Sequence, residues 1–142
     1  MYLPKHFKTQ ELVPPEVYNR LNEKALTMMD DRVLITLDQL REQFGPTTVN
    51  DWCFGGHYQQ SGLRTTDCEH YSPTSQHTFG RAADCKFHDL DAETVRKEII
   101  KNKLSFPHIT FMEDGTHWLH FDVRNCTPIM VWNPETNKLW MV

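Results

Sequence analysis

The 142-residue sequence lacks any long hydrophobic run. No apolar segment approaches the roughly 20 residues that a helix needs to span a bilayer. The N-terminal segment MYLPKHFKTQELVPPEVY is polar and interrupted by prolines, so it does not resemble a secretory signal. We therefore expect a protein that is made in the cytosol without a signal peptide and that does not insert into membranes.

Clustered positive charge is also missing. Lys and Arg together number 15 against 19 Asp and Glu residues, which gives a formal net charge of -4. Proteins that bind a phosphate backbone need clustered basic residues, so the composition argues against a nucleic-acid partner. Repeats, linkers and low-complexity tracts are absent as well. The length fits one domain, over residues 1–142.

Closely spaced cysteines are the third absence. The four cysteines form no CxxC pair, so neither a zinc ribbon nor a redox dithiol is indicated: Cys53, Cys68, Cys85 and Cys126. We expect them to be reduced and mostly buried. A cysteine-dependent hydrolase using Cys68 with His70 or His77 is a weaker hypothesis, because no Cys-His-Asn set is visible.

Hydrophobic periodicity predicts helices first and strands afterwards. The predicted helices begin after Pro14-Pro15, run from Asp30 or Asp31 to Phe44, and cover residues 92–103. The predicted strands cover residues 47–54, 82–87, 106–113, 117–124, 129–132 and 139–142. Residues 57–79 predict a long polar loop, which usually has a functional role. This order indicates a single-domain α+β protein with helices packed on an antiparallel sheet.

A segment near the middle of the chain carries an imidazole and a carboxylate: Ser75-Gln76-His77-Thr78-Phe79-Gly80-Arg81-Ala82-Ala83-Asp84. Gly80 permits a sharp turn between the two groups. Asp84 falls on a short and mainly apolar strand, where a carboxylate needs a compensating partner. A bound metal ion is one such partner.

A second segment, Thr116-His117-Trp118-Leu119-His120-Phe121-Asp122, carries two further histidines. Alternation along a strand places Trp118, His120 and Asp122 on one face and His117 on the other. Trp118 is then either a core aromatic or a wall of a substrate cleft. Asp122 is either a partner that orients a site histidine or an exposed strand residue.

Together the two segments predict one zinc ion, bound by His77, Asp84 and His120. Two imidazoles and one carboxylate leave the fourth position of a tetrahedral ion for water, as in catalytic sites, whereas structural sites are usually closed by four protein ligands. The histidines outside these segments are expected to be ordinary polar residues: His6, His57, His70, His88 and His108.

A catalytic zinc site also needs a general base, and Glu113 is the leading candidate. A hairpin loop of two or of four residues around Asp114-Gly115 puts Glu113 on the face of His120, because cross-strand partners point the same way. Asp114, within the turn, and His117, on the opposite face, are the alternatives.

Three sequence motifs resemble those of a known family. The run Ser61-Gly62-Leu63-Arg64, the motif Ser75-x-His77-x-x-Gly80-x-Ala82-x-Asp84 and the run Trp118-Leu119-His120 are similar to motifs of the D-alanyl-D-alanine carboxypeptidase-like zinc peptidases, which include many phage endolysins. The resemblance covers about residues 5 to 125. It implies the α+β fold that these peptidases share with the hedgehog signalling domain.

The resemblance also implies roles for individual residues. His77, Asp84 and His120 would be the zinc ligands, and Arg64 would anchor a carboxylate or carbonyl of the substrate, beside Ser75 and Trp118. Many members place the catalytic acid three residues before the last histidine, where this chain has His117. In the most similar branch a glutamate lies about six residues before it, whereas Glu113 lies seven residues before His120.

From the resemblance we expect a zinc metallopeptidase that cleaves peptide bonds of bacterial peptidoglycan, as a D,D- or L,D-carboxypeptidase or endopeptidase. Its partner would be the peptidoglycan peptide, and the chain would be a monomer. A phage-encoded endolysin, or a virion-associated enzyme acting on the host wall, fits this expectation. The alternative is a catalytically inactive zinc-bearing binding or structural module, such as a phage tail component.

Overall fold

Three α-helices and six β-strands make up the computed structural model, which describes all 142 residues. The helices are α1 (Pro15–Leu21), α2 (Asp31–Phe44) and α3 (Ala92–Lys101). The strands are β1 (Thr47–Thr48), β2 (Ala82–Phe87), β3 (Phe111–Glu113), β4 (Leu119–Asp122), β5 (Met130–Asn133) and β6 (Lys138–Met141). A short 3-10 helix precedes α1, and four more lie between the other elements: Thr9–Glu11, then Asn22–Met28, Trp52–Phe54, Gln76–Phe79 and Lys103–Ser105.

All six strands join one sheet in the order β1-β2-β4-β3-β5-β6. Neighbouring strands are antiparallel except β3 and β5, which run parallel. The prediction of a single-domain α+β architecture is therefore confirmed. The prediction of a purely antiparallel sheet was wrong, because β3 and β5 run parallel. Because β4 takes the place between β2 and β3, the chain returns to pair β5 with the remaining edge of β3.

Helix α2 forms where the apolar stripe predicted it. The Asp30 side chain caps its first turn by accepting a hydrogen bond from the Arg32 backbone amide at 3.0 Å. Gly45 ends the helix with a φ of +83°. The buried side of α2 carries Val33, Leu34, Leu37, Leu40 and Phe44.

One continuous cluster of 25 buried hydrophobic residues joins the helices to the sheet. Every residue of β4 is buried, because this strand lies between β2 and β3. Polar side chains on β4 therefore lose their water and need partners inside the protein. None of the helices has the length and hydrophobicity required to cross a membrane.

Three predicted strands are shorter than expected, and one of them, predicted over residues 117–124, covers only Leu119–Asp122. The strand over residues 47–54 ends at Thr48, because the backbone amide of Asn50 bonds to the Glu11 carbonyl and the Asn50 side chain accepts from the Ser61 amide. The strand over residues 106–113 begins only at Phe111. Pro107, which lacks a backbone donor, lies in the part that stays irregular.

The cysteines follow the prediction only in part. All four are free, but only Cys85 is buried, and the other three are partly exposed. Cys85 lies on the apolar face of β2, where burial raises the pKa of its thiol.

Gly80 ends the 3-10 helix Gln76–Phe79 with a φ of +66°, and a side chain there would overlap the carbonyl oxygen of Met28. Gly55 has a φ of +86° but open space around its Cα.

In urea unfolding, Gly55→Ala should therefore lower the free energy of unfolding by about 1 kcal/mol, the cost of a left-handed backbone. Gly80→Ala should cost a further ~1–3 kcal/mol for overpacking. Equal losses in the two variants would contradict this close approach.

Candidate metal centre

His77 is positioned by the 3-10 helix Gln76–Phe79. The side chain of Ser75 caps this helix and accepts a hydrogen bond from the His77 amide at 3.3 Å. Gly80 then turns the chain into β2. The His77 side chain is thereby held in the interior, with only 2% of the residue exposed.

Asp84 and His120 come from the two neighbouring strands β2 and β4. The sheet register pairs them directly, so their side chains point to the same face. Oδ1 of Asp84 lies 2.8 Å from Nδ1 of His120 and 3.3 Å from Nε2 of His77. The two histidine nitrogens lie 3.2 Å apart. Three ligand atoms thus converge on one point, and they form the one His, Cys, Asp or Glu cluster in the structure that could hold a metal ion.

The opposite nitrogen of each histidine is held by an acceptor. Nδ1 of His77 donates to the carbonyl oxygen of Gly62 at 2.8 Å, and Nε2 of His120 lies 3.3 Å from Oδ2 of Asp122. A carbonyl and an ionised carboxylate can only accept, so the facing nitrogens of the two neutral rings would both present lone pairs. Such lone pairs repel unless a cation lies between them.

Two of the three separations between the ligand atoms fit a zinc ion. At zinc–ligand distances of about 2.0–2.2 Å and tetrahedral angles, neighbouring ligand atoms lie about 3.3–3.6 Å apart. The observed separations of 3.2 and 3.3 Å are close to this value, and the 2.8 Å between Asp84 and His120 is that of a charge-assisted hydrogen bond. Histidines oriented by a carbonyl or a carboxylate are typical of zinc sites. His77, Asp84 and His120 therefore form a group that can hold a metal ion.

Burial and charge act against each other in this cluster. Burial alone would keep Asp84 neutral, but the attraction of His77 and the hydrogen bonds from both histidines hold its pKa far below the usual range. Burial disfavours the charged form of His120 too, but hydrogen bonds to Asp122 and Asp84 raise its pKa to about 10, with a contribution from the charge of Glu113. A protonated His120 would donate from Nδ1 to Asp84 and from Nε2 to Asp122.

The three ligand atoms face a cavity of about 490 Å³. Trp118 is the one hydrophobic residue among those that line it: Arg64, His70, Thr74, Ser75, Gln76, His77, Asp84, Glu113, Trp118, His120 and Arg124. Trp118 is 38% exposed, so it forms part of the cavity wall and does not belong to the core. The cavity is suited to a polar ligand.

Arg64 lies beside the ligand Asp84. Its Nη2 is 3.3 Å from Asp84 Oδ2, the oxygen that does not face the histidines. Its Nε donates to the carbonyl of Gln60 at 3.3 Å. The guanidinium is therefore held at the cavity wall.

Glu113 ends β3 on the wall of the same cavity. The register pairs Phe111 with Asp122 and Met112 with Phe121, and its continuation places Glu113 opposite His120. The connection is longer than the two or four residues expected, so both expected registers were wrong. Their shared consequence, that Glu113 lies on the face of His120, agrees with the observed pairing.

Asp114 and His117, the alternative bases, do not line the cavity. Asp114 accepts a hydrogen bond from Nδ2 of Asn133 at 3.2 Å and lies 3.7 Å from Nε of Arg96. His117 is exposed. Asp122, by contrast, is fully buried and serves as the partner that orients His120.

Sequence reasoning missed several residues of the cavity. Arg124 follows Asp122 by two positions, so strand alternation could have placed it near the site. His70, treated as an ordinary polar histidine, lies on the cavity rim with its side chain 76% exposed. Thr74 and Gln76 also line the cavity, but the irregular loop gives no periodic signal that could have identified them.

We compared the chain with models of known protein families, with curated proteins and with solved structures, and none of them matches.

The raised pKa of His120 predicts how the stability of the metal-free protein depends on pH. Its folded-state pKa of about 10 exceeds the unfolded value of about 6.5. The stabilisation by protonated His120 is complete below about pH 6.5 and is lost as the pH rises towards 10. In EDTA, the free energy of unfolding measured with urea should be lower at about pH 8.5 than at about pH 6.5, a range chosen below most lysine titration.

Two comparisons isolate this effect. His120→Gln should lose most of the decrease between the two pH values, because its amide does not titrate. With saturating zinc the trend should reverse, since metal ligands must be deprotonated to bind. A metal-free protein that is equally or more stable at the higher pH would contradict the protonated cluster.

Proposed function

We propose that the protein is a zinc metallopeptidase that hydrolyses a peptide bond in bacterial peptidoglycan. The observation that carries the proposal is the convergence of His77, Asp84 and His120 at a polar cavity that Glu113 and Arg64 also line. Three protein ligands leave a coordination position for catalysis, whereas structural zinc sites are usually closed by four.

His77, Asp84 and His120 would hold the ion. When bound, zinc would polarise the scissile carbonyl and lower the pKa of water. Glu113 would accept a proton from the attacking water and deliver it to the leaving amine. Its side chain is suited to this role, because it lines the cavity and forms no hydrogen bond or ion pair within the protein.

Arg64 would bind a carboxylate or carbonyl group of the substrate. Its hydrogen bonds to Gln60 and Asp84 occupy Nε and Nη2 and leave Nη1 without a protein partner. A guanidinium held in this way can orient a substrate while losing little conformational entropy. Ser75 and Trp118 would complete the substrate-binding wall.

Peptidoglycan is proposed as the substrate from the motif resemblance to D-alanyl-D-alanine carboxypeptidase-like peptidases. The motif residues His77, Asp84, His120 and Arg64 all lie at one cavity, which supports applying the motif to this chain. An endolysin that acts as a monomer on the wall of a phage host is the corresponding biological role.

Two rival hypotheses are weakened by the geometry. A cysteine-dependent hydrolase would need the Cys68 thiol hydrogen-bonded to a histidine, but Cys68 is free and its thiol forms no hydrogen bond to His70 or His77. An inactive zinc-bearing binding or structural module would not need an unpaired carboxylate at the cavity, yet Glu113 is one.

The proposal predicts that Glu113→Gln retains zinc and loses turnover. The amide keeps the shape of the side chain but cannot accept a proton, so cleavage should fall by roughly 10²–10⁴-fold. Cleavage can be measured by mass spectrometry of muropeptides released from purified peptidoglycan, and zinc by elemental analysis.

Asp114→Asn and His117→Ala are matched controls, because neither residue lines the cavity. Both should remain close to the wild type. Loss of cleavage in either control, with zinc retained and Glu113→Gln active, would assign the base elsewhere. A zinc-loaded wild type that is inert on peptidoglycan would favour the inactive binding module.

A further inference from the structure

We propose that Arg124 is a second substrate-binding residue, which binds a carboxylate on the side of the metal centre opposite Arg64. The substrate class that follows is an acidic peptide with two carboxylates, one for each arginine. This inference rests on the proposed function, because it specifies which peptides the same site would take.

Arg124 is held at the cavity by contacts on two sides. Its Nε donates to Oδ1 of Asp122 at 2.8 Å, and its Nη2 bonds to Oδ2 of the same carboxylate. Its guanidinium carbon lies 3.6 Å from the centre of the Phe111 ring, a stacking contact that fixes the guanidinium plane. The side chain nevertheless stays 36% exposed, lines the cavity and leaves Nη1 without a protein partner.

Arg64 and Arg124 occupy corresponding positions on the two sides of the His120 ring. Asp84 lies at Nδ1 of this ring and binds Arg64, whereas Asp122 lies at Nε2 and binds Arg124. Each arginine thus uses Nε and Nη2 on protein oxygens and keeps Nη1 for a ligand. A ligand that lies across the metal centre would meet one guanidinium on each side.

With a divalent cation bound, the charges of the site favour an anionic ligand. Arg64 and Arg124 are the positively charged residues of the cavity lining, and the carboxylates of Asp84, Asp122 and Glu113 oppose them. A bound divalent cation would turn this deficit of one charge into an excess of one positive charge, because both histidines are neutral as metal ligands. This local excess contrasts with the formal charge of -4 of the whole chain, so the metal-bound cavity attracts acidic groups.

Arg124 could instead serve only to hold Asp122, and a lysine separates the two roles. In Arg124→Lys a single ammonium would remain beside Asp122, which preserves the charge that the buried carboxylate needs. A lysine lacks the fork that contacts Asp122 and a ligand simultaneously. Arg124→Lys should therefore fold and retain zinc while losing the ligand contact.

The test measures peptide binding by calorimetry to the zinc-loaded Glu113→Gln protein, in which turnover is suppressed. The ligands are N-acetyl-D-glutamyl-D-alanine, its D-glutaminyl analogue and its C-terminal amide, so each analogue lacks one carboxylate. The diacid should bind tighter than either analogue by roughly 10- to 100-fold, the usual value of a charge-assisted hydrogen bond. Arg124→Lys should abolish one of these two preferences, and Arg64→Lys the other.

Arg81→Gln is the control, because it removes a charge outside the cavity, from a side chain that is 50% exposed. It should leave both preferences intact. The proposal is overturned if the added Arg124→Lys substitution leaves both preferences intact, lowers the affinity for all three peptides equally, or causes loss of zinc. It is also overturned if the zinc-loaded Glu113→Gln protein itself binds the diacid no more tightly than its two analogues. If the Glu113→Gln protein shows both carboxylate preferences but the wild type does not cleave peptidoglycan, the proposed function is rejected and the role of Arg124 in binding stands.

Discussion

The site depends on the contact between His77 and His120, whose facing nitrogens lie 3.2 Å apart. Gly62 and Asp122 fix the outer nitrogens of the two rings, so neither ring can offer a hydrogen to the other while both are neutral. Only a proton or a metal cation relieves that repulsion. The adjacent carboxylate of Asp84 supplies the negative charge that makes a cation favourable there.

The fold creates this constraint by burying the charged and imidazole groups of the site and pairing them with one another. Asp84 and His120 are cross-strand partners, and Asp122 is opposite Ala82, whose small side chain leaves space for the carboxylate and its bonds. Arg124 satisfies the other side of Asp122, and Gly62 approaches the carbonyl of Leu12 so closely that any side chain there would overlap it. Removal of one partner would leave a buried group unpaired, which is costly. The network therefore acts as a unit.

Local patterns were sufficient to predict β2 to the residue and the end of α2 at Phe44, because each has strong periodicity and a clear end signal, such as Gly80 before β2 and Gly45 after α2. The start of α2 was predicted to within one residue. Strand parity alone put Glu113 on the face of His120, although the hairpin register was wrong. A register error of two residues leaves a side chain on the same face of the sheet, but it changes the residue that lies opposite on the neighbouring strand.

What the sequence could not predict depends on contacts between distant segments. The predicted strand does not continue after Thr48, because Asn50 forms hydrogen bonds to Glu11 and Ser61. No local sequence pattern reveals those partners. Strand alternation could have placed Arg124 on the face of Asp122, but its fixed position at the cavity depends on its stacking against Phe111 across the sheet.

Zinc K-edge X-ray absorption of the purified protein, combined with its zinc content, is the most direct test that one ion binds to His77, Asp84 and His120. We expect one zinc per chain with imidazole scattering and only nitrogen and oxygen ligands at about 2.0–2.2 Å. The imidazole signal should disappear, together with the zinc, in His77→Ala. A sulfur ligand at about 2.3 Å, or a full zinc complement in His77→Ala, would contradict this ligand assignment.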